Sequence, residues 1–198
     1  MDIRIPEFIK GFIFDLDGTL VDTMPMHTEA WVDAGKYFNV EITPYMVQAM
    51  AGIPTLQLVV RLNQIYGWEL DPLEVKVKKD RLLEEIKLKK GPYQAIEPVM
   101  QIVRNVKDSK PMTVGTGSSR TQAIRILREM GIIDWFTGIV GAEDVTSFKP
   151  DPETFFKCAS LMKLEPMECM VFEDGDLGIL AAKNAGMEYV DIRQFHYV

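Results

Sequence analysis

Short apolar runs alternate with stretches of helical period through most of this chain. The runs lie at residues 9–14, 112–114, 139–140, 170–172 and 189–192, each short enough to be a strand rather than a helix. Between them, residues 97–106, 120–130, 152–162 and 177–185 carry apolar side chains three and four apart, the spacing of a helix that buries one face. Gly131 and Gly186 stand where a helix C-terminal glycine belongs, and Asp151-Pro152 offers a capping acid followed by a first-turn proline. Strands alternating with helices predict an α/β fold, a Rossmann-like doubly wound parallel sheet covered on both faces.

The stretch from about residue 24 to 90 breaks this alternation. It holds no convincing strand and reads as successive helices, interrupted near Thr43-Pro44, Gly52-Ile53-Pro54 and Asp71-Pro72. The expectation is a helical insertion after the first strand, with joints near residues 22–25 and 91–92. The catalytic core would then be residues 1–22 and 92–198, and the insertion residues 23–91.

Composition narrows the setting. A chain of 198 residues holds one α/β domain with a modest insertion. The net charge of −7 argues against a nucleic-acid or anionic-membrane binder, but a local cation can still hold an anionic substrate. No apolar stretch approaches a membrane span, and the N-terminus lacks the order of a secretory signal, so a cytoplasmic chain is expected. Cys158 and Cys169 lie beside apolar residues and read as buried free thiols rather than a disulfide or a metal pair. A monomer is expected.

Four polar clusters follow four of the predicted strands: Asp15 with Asp17, then Thr116-Gly117-Ser118, then Lys149, then Glu173-Asp174. In an open parallel sheet, ligands bind beyond the carboxyl ends of the strands, so clusters far apart in sequence can converge on one rim. Carboxylates gathered there repel unless a cation lies among them, and oxygen ligands of this kind suit Mg²⁺. Lys149 adds positive charge, while a threonine hydroxyl and backbone amides ahead of the helix at residue 120 suit phosphate oxygens. An aspartate can attack phosphorus to form an aspartyl-phosphate, and a second acid can protonate the leaving oxygen and then activate water. The inventory reads as metal-assisted phosphoryl transfer from a small phosphorylated molecule.

The stretch FDLDGTLVDT resembles the first motif of the haloacid dehalogenase superfamily, and MTVGTGS, KPDPETF and VFEDGDLGI resemble its other three in order. The likeness covers nearly the whole chain. It implies that Asp15 is the nucleophile and a Mg²⁺ ligand, and that Asp17 is the general acid and base, offering its backbone carbonyl to the metal. Thr116, with Gly117 and Ser118, would hold the phosphoryl group. Lys149 would neutralise nucleophile and phosphoryl alike, and Glu173 and Asp174 would complete the metal site. The helical insertion would be a cap that closes over the site. Keeping Asp17 implies an oxygen leaving group rather than dehalogenation or phosphonate cleavage.

Within the superfamily the chain resembles β-phosphoglucomutases, including His27 in MPMHTEAW, and this implies substrate contacts from His27 and from a cap lysine, Lys78 or its neighbour Lys79. A mutase must also hold a second phosphate. The arginine and lysine that do so in that subfamily align with Thr55 and Ser119 here, with Arg120 adjacent. Two lost cations leave a dianion poorly neutralised in a closed site, which favours hydrolysis. The segments PMTVGTGS, PDPETF and VFEDGDLGILAAKNAGM resemble bacterial sugar-phosphate phosphatases of the fructose-1-phosphate type. A Mg²⁺-dependent sugar-phosphate phosphatase is therefore expected. A sugar phosphomutase and a non-catalytic metabolite-binding module are the alternatives.

Overall fold

Strands β1 (Gly11–Phe14), β2 (Met112–Gly115), β3 (Gly138–Val140), β4 (Cys169–Glu173) and β5 (Glu188–Asp191) pair in parallel in the order β3-β2-β1-β4-β5. The structure, a computed structural model, describes residues 4–195. The first strand starts later than its apolar run, because Lys10 N–H donates to Glu168 O outside the ladder, while Ile9 is still buried in the core. Strand direction of growth reverses between β1 and β4, which makes their carboxyl ends the switch point where such sheets bind ligands.

Side-chain alternation on β1 divides the core into two layers. Phe12 and Phe14 face α5 (Glu97–Val106) and α6 (Arg120–Glu129), whereas Ile13 faces α7 (Glu153–Met162) and α8 (Asp176–Asn184). The Phe14 and Phe172 rings stack with centroids 4.7 Å apart across the β1–β4 register. Burying each ring contributes roughly 1.5–3 kcal/mol, and this register is what carries Asp15 alongside Glu173.

Between β1 and α5 run α1 (Met24–Tyr37), α2 (Pro44–Ala49), α3 (Thr55–Tyr66) and α4 (Pro72–Lys90). The breaks expected from proline and glycine are the ones found. Thr43 Oγ1 accepts the Met46 N–H at the head of α2, and Asp71 accepts the N–H groups of Leu73 and Glu74 at the head of α4. These helices share an apolar centre of their own around Trp31, Val47, Leu58, Val59, Leu62 and Val75. Met26 and Ala30 of α1 and Leu83 and Ile86 of α4 belong instead to the core beside the sheet, and so anchor the helical unit. Among the described residues, no helix is long and apolar enough to cross a membrane. Cys158 and Cys169 are free and buried, and burial pushes their thiols up to about 12 and about 11.

Candidate active site

The end of β1 delivers Asp15 to the switch point, with its N–H donating to Phe172 O at 3.0 Å. Lys149 enters from the loop between β3 and α7. Its ammonium donates to Asp15 Oδ1 at 2.7 Å, Glu173 Oε1 at 2.6 Å and the Gly115 carbonyl at 3.2 Å. An ammonium has three donors, so all are engaged. Burial alone would lower the proton affinity of Lys149, but Asp15 and Glu173 more than offset it and hold the charge. For Asp15, burial raises the pKa well above the carboxylate range; Lys149 opposes, and Glu173 and Asp174 add to the rise.

The remaining acids are pinned as firmly. Glu173 Oε2 accepts the Gly175 N–H at 2.7 Å, and Asp174 Oδ1 accepts the Thr19 hydroxyl at 2.8 Å. Burial, with Glu173 next to it, pushes Asp174 up to about 7. Gly18 makes the turn that lets Asp174 approach: its φ is +89°, and a Cβ there would stand 2.2 Å from Asp174 Oδ2. Oxygen atoms from Asp15, Glu173 and Asp174 lie within 4.8 Å of one another. Three carboxylates share one lysine, and two of them resist ionising. An all-oxygen, charge-deficient group of this kind fits a hard divalent cation such as Mg²⁺.

Asp17 belongs to a different network. Its carboxylate accepts from Thr23 Oγ1 at 2.6 Å and Ser118 Oγ at 2.5 Å, with His27 Nε2 at 3.4 Å. Burial would raise its pKa, yet His27 close by and the hydrogen bonds from the two hydroxyls hold it well below the usual range. The side chain is thus outside the acidic trio, and only the Asp17 backbone carbonyl remains for the metal role implied by the resemblance. Thr116 Oγ1 accepts the Ser118 N–H at 3.0 Å, which shapes the loop after β2.

The helical unit covers this rim. The loop joining α2 to α3 lies on Gly117, where a Cβ would come 2.4 Å from the Gly52 carbonyl oxygen. Between loop and sheet is a cavity of about 290 Å³, bordered by Asp15, Asp17, Thr116, Gly117 and Ser118 on the sheet side and by His27, Thr55 and Lys79 among the helical residues.

Lys78 is not part of that wall. The buried stripe of α4 is Val75, Lys79, Leu83 and Ile86, and Lys78 falls one position off it. Its Nζ sits 4.0 Å over the Tyr37 ring, whereas Lys79 is 3% exposed and borders the cavity. Burial lowers the Lys79 pKa, with Asp80 and Asp17 acting the other way. Thr55 and Ser119 both border the cavity, while the Arg120 guanidinium turns to Asp144 at 3.3 Å. Thr23 and Thr19 carry site contacts, and Gln122 holds a place on the cavity wall, that the sequence pattern did not assign to the site. The Thr23 hydroxyl follows Asp17 closely enough in sequence for a local turn to deliver it, but the other two depend on long-range packing.

The model of the haloacid dehalogenase-like hydrolases matches residues 9–186. The fructose-1-phosphate phosphatase YqaB of Escherichia coli is 36% identical over 192 residues, covering 94% of this chain and 98% of that protein. The β-phosphoglucomutase of Bacillus subtilis is 29% identical over 191 residues, covering 94% of this chain and 84% of that one. In three dimensions, the β-phosphoglucomutase of Clostridium difficile shares the fold with a TM-score of 0.79 at 24% identity, over 91% of this chain and 83% of its own. With a family match along most of its length and a relative this similar from end to end, the chain belongs to the haloacid dehalogenase-like hydrolase family.

Proposed function

We propose that this chain, a phosphoric monoester hydrolase of the haloacid dehalogenase-like family, dephosphorylates a small sugar monophosphate of the fructose 1-phosphate kind through an aspartyl-phosphate on Asp15. The observation that carries the reading is the buried Asp15–Lys149–Glu173 arrangement beside Asp174, which opens into a cavity that Asp17 also borders.

In the first step an Asp15 oxygen attacks phosphorus in line, the phosphorus–oxygen ester bond breaks, and protonated Asp17 gives its proton to the departing sugar oxygen. In the second step Asp17, now the carboxylate, takes a proton from water as that water attacks the aspartyl-phosphate. Phosphate leaves, Asp15 is restored, and Asp17 is again protonated. The network of His27, Ser118 and Thr23 favours the carboxylate form of Asp17, the form the second step needs. A phosphate dianion brought beside Asp17 raises its proton affinity for the first. Lys149 offsets charge on Asp15 and on the transferring group, the main electrostatic demand of phosphoryl transfer. Mg²⁺ held by Asp15, Asp174 and Glu173 would add charge neutralisation on the phosphoryl oxygens.

Residues 23–91 are the cap of this reading, and residues 1–22 and 92–198 the catalytic core. The Gly52–Gly117 contact is then the closed position, which shields the reaction from bulk water and must lift for exchange. Hydrolysis is favoured over isomerisation by Thr55 and Ser119 at the cavity and by Arg120 being committed to Asp144. Two free buried thiols accord with a reducing, cytoplasmic setting.

Phosphate release from a panel of sugar phosphates with Mg²⁺, with Asp15→Asn protein as the blank, tests the proposal. Turnover of fructose 1-phosphate ahead of the other sugars, absent in the variant, is the expected result. Mg²⁺-dependent release by Asp15→Asn, or isomerisation of a hexose 1-phosphate without phosphate release, would overturn it.

A further inference from the structure

Gln122 lies in the first turn of α6 and borders the cavity. Its Nε2 is buried and meets no hydrogen-bond partner among the described residues. The sequence Ser119-Arg120-Thr121-Gln122 has the form of a capping box, in which the glutamine side chain returns to the backbone of the capping serine. Only half of the box forms here. Ser119 Oγ accepts the Gln122 backbone N–H at 3.2 Å, and the glutamine side chain makes no return bond. The Arg120 N–H at the same helix end is satisfied by Glu143 Oε2 at 2.9 Å. The return bond of the box would use the glutamine's carbonyl oxygen as acceptor, so its Nε2 donor is free of any capping duty, in a side chain that borders the cavity. A buried donor left unpaired is disfavoured, and an acceptor on a ligand removes that penalty.

We propose that Gln122 is a specificity-determining residue whose Nε2 donates a hydrogen bond to a hydroxyl oxygen of the leaving alcohol. It would thereby select polyhydroxy monophosphates over esters with apolar leaving groups. The inference rests on the sugar-phosphate phosphatase reading above and adds a residue and a ligand chemistry to it.

Three features favour a neutral oxygen over a second phosphate at this wall. Glu143 is itself a carboxylate bordering the cavity. Arg120 is bonded to Asp144 at 3.3 Å and Lys76 to Asp80 at 2.5 Å, and Lys79, the remaining cation of this wall among the described residues, has Asp80 at 3.5 Å, so each has an acid beside it. The cavity volume of about 290 Å³ is at the small end of ligand pockets, which typically span roughly 300–1,000 Å³. A small alcohol carrying one phosphate and several hydroxyls satisfies all three conditions.

The experiment compares wild-type and Gln122→Leu protein on fructose 1-phosphate and on p-nitrophenyl phosphate, whose leaving group carries no hydroxyl for Gln122 to reach. The ratio of kcat/KM for the sugar phosphate to that for the nitrophenyl ester should fall about tenfold in the variant, the usual scale for losing one buried hydrogen bond to substrate. Thermal melting in the same buffer should be no lower for Gln122→Leu, because an unpaired amide is replaced by an apolar side chain of similar size. An unchanged ratio, whether both activities persist or both decline together, would overturn the role of Gln122 while the phosphatase reading stood. If wild-type protein released phosphate from neither ester, the phosphatase reading itself would fall and take this inference with it.

Discussion

The two halves of the cavity are built to different tolerances. On the sheet side, Lys149 has a partner for each of its donors, Glu173 has one for each oxygen, and Asp174 is tied to Thr19. On the other side, Lys79 has its nearest acid, Asp80, at 3.5 Å, and His27 Nε2 has no hydrogen-bond partner among the described residues. The strand ladder fixes the ends of β1 and β4 relative to each other, so charges there can be brought to 2.6–2.7 Å and kept. The helical unit meets the rim through a loop over Gly117, and its lysine at the cavity, Lys79, is held less closely by acids than Lys149 is. Chemistry that is the same for every phosphate ester belongs on the rigid strand ends, and selection of the alcohol on the less closely paired side chains around them.

Lys149→Met tests the rigid half and should have the largest effect. The substitution keeps the stem but leaves Asp15 and Glu173 buried without their counter-charge. Breaking a buried pair by removing one member costs about 3–5 kcal/mol, to be read from urea unfolding of the metal-free protein. Phosphate release should fall by at least about 10²-fold, the scale for removing one preorganised electrostatic contact. Unaltered unfolding would mean that Lys149 does not neutralise these acids.

The acidic trio makes a second, pH-dependent prediction. Asp174 is pushed up to about 7 from 3.8, so between those values the folded chain binds more protons than the unfolded chain. Stability of the metal-free protein should therefore fall as pH rises from about 4 to about 7, since ∂ΔG/∂pH is negative wherever the folded state is the more protonated. Mg²⁺ competes with those protons. Its apparent affinity should climb by roughly tenfold per pH unit for each proton displaced, levelling above about pH 7. Melting temperatures with and without Mg²⁺ from pH 5 to 8 read both effects. A Mg²⁺ shift independent of pH would argue that the trio is not the metal site.

The same division explains what could be read from sequence. The rim was legible because apolar strands end at Asp15, Thr116 and Glu173, and the order of a parallel sheet brings such ends together. Helix starts at Pro44 and Pro72 were legible from Thr43 and Asp71, whose caps are local. Gln122 was not, because its place in a capping-box pattern suggests a structural duty, and only the folded helix end shows that Ser119 Oγ accepts the Gln122 N–H without a return bond from the glutamine side chain. Contact of Gly52 with Gly117 was equally hidden, since it joins the loop between α2 and α3 to the loop after β2. The choice between Lys78 and Lys79 lay within reach: Val75, Leu83 and Ile86 mark the buried stripe of α4, and position 79 is the one that continues it.

Those adjacent lysines give the finest test of the comparison. Lys79→Met removes a cation from the cavity wall, and Lys78→Met removes one from the surface over Tyr37. Anionic substrate should feel the first and not the second, so KM for the sugar phosphate should rise several-fold, up to about tenfold, in Lys79→Met with kcat less affected. Stability should move the other way. Burial already disfavours the charge on Lys79, so an apolar side chain there should leave the resting protein as stable or slightly more so. Lys78→Met should cost about 0.5–1 kcal/mol at most, the worth of an exposed cation–π contact, with KM unchanged. Equal KM changes in the two variants would remove Lys79 from the site. A large stability loss in Lys79→Met would make its charge part of the resting architecture, and the helical half of the cavity would then be as rigidly paired as the sheet half.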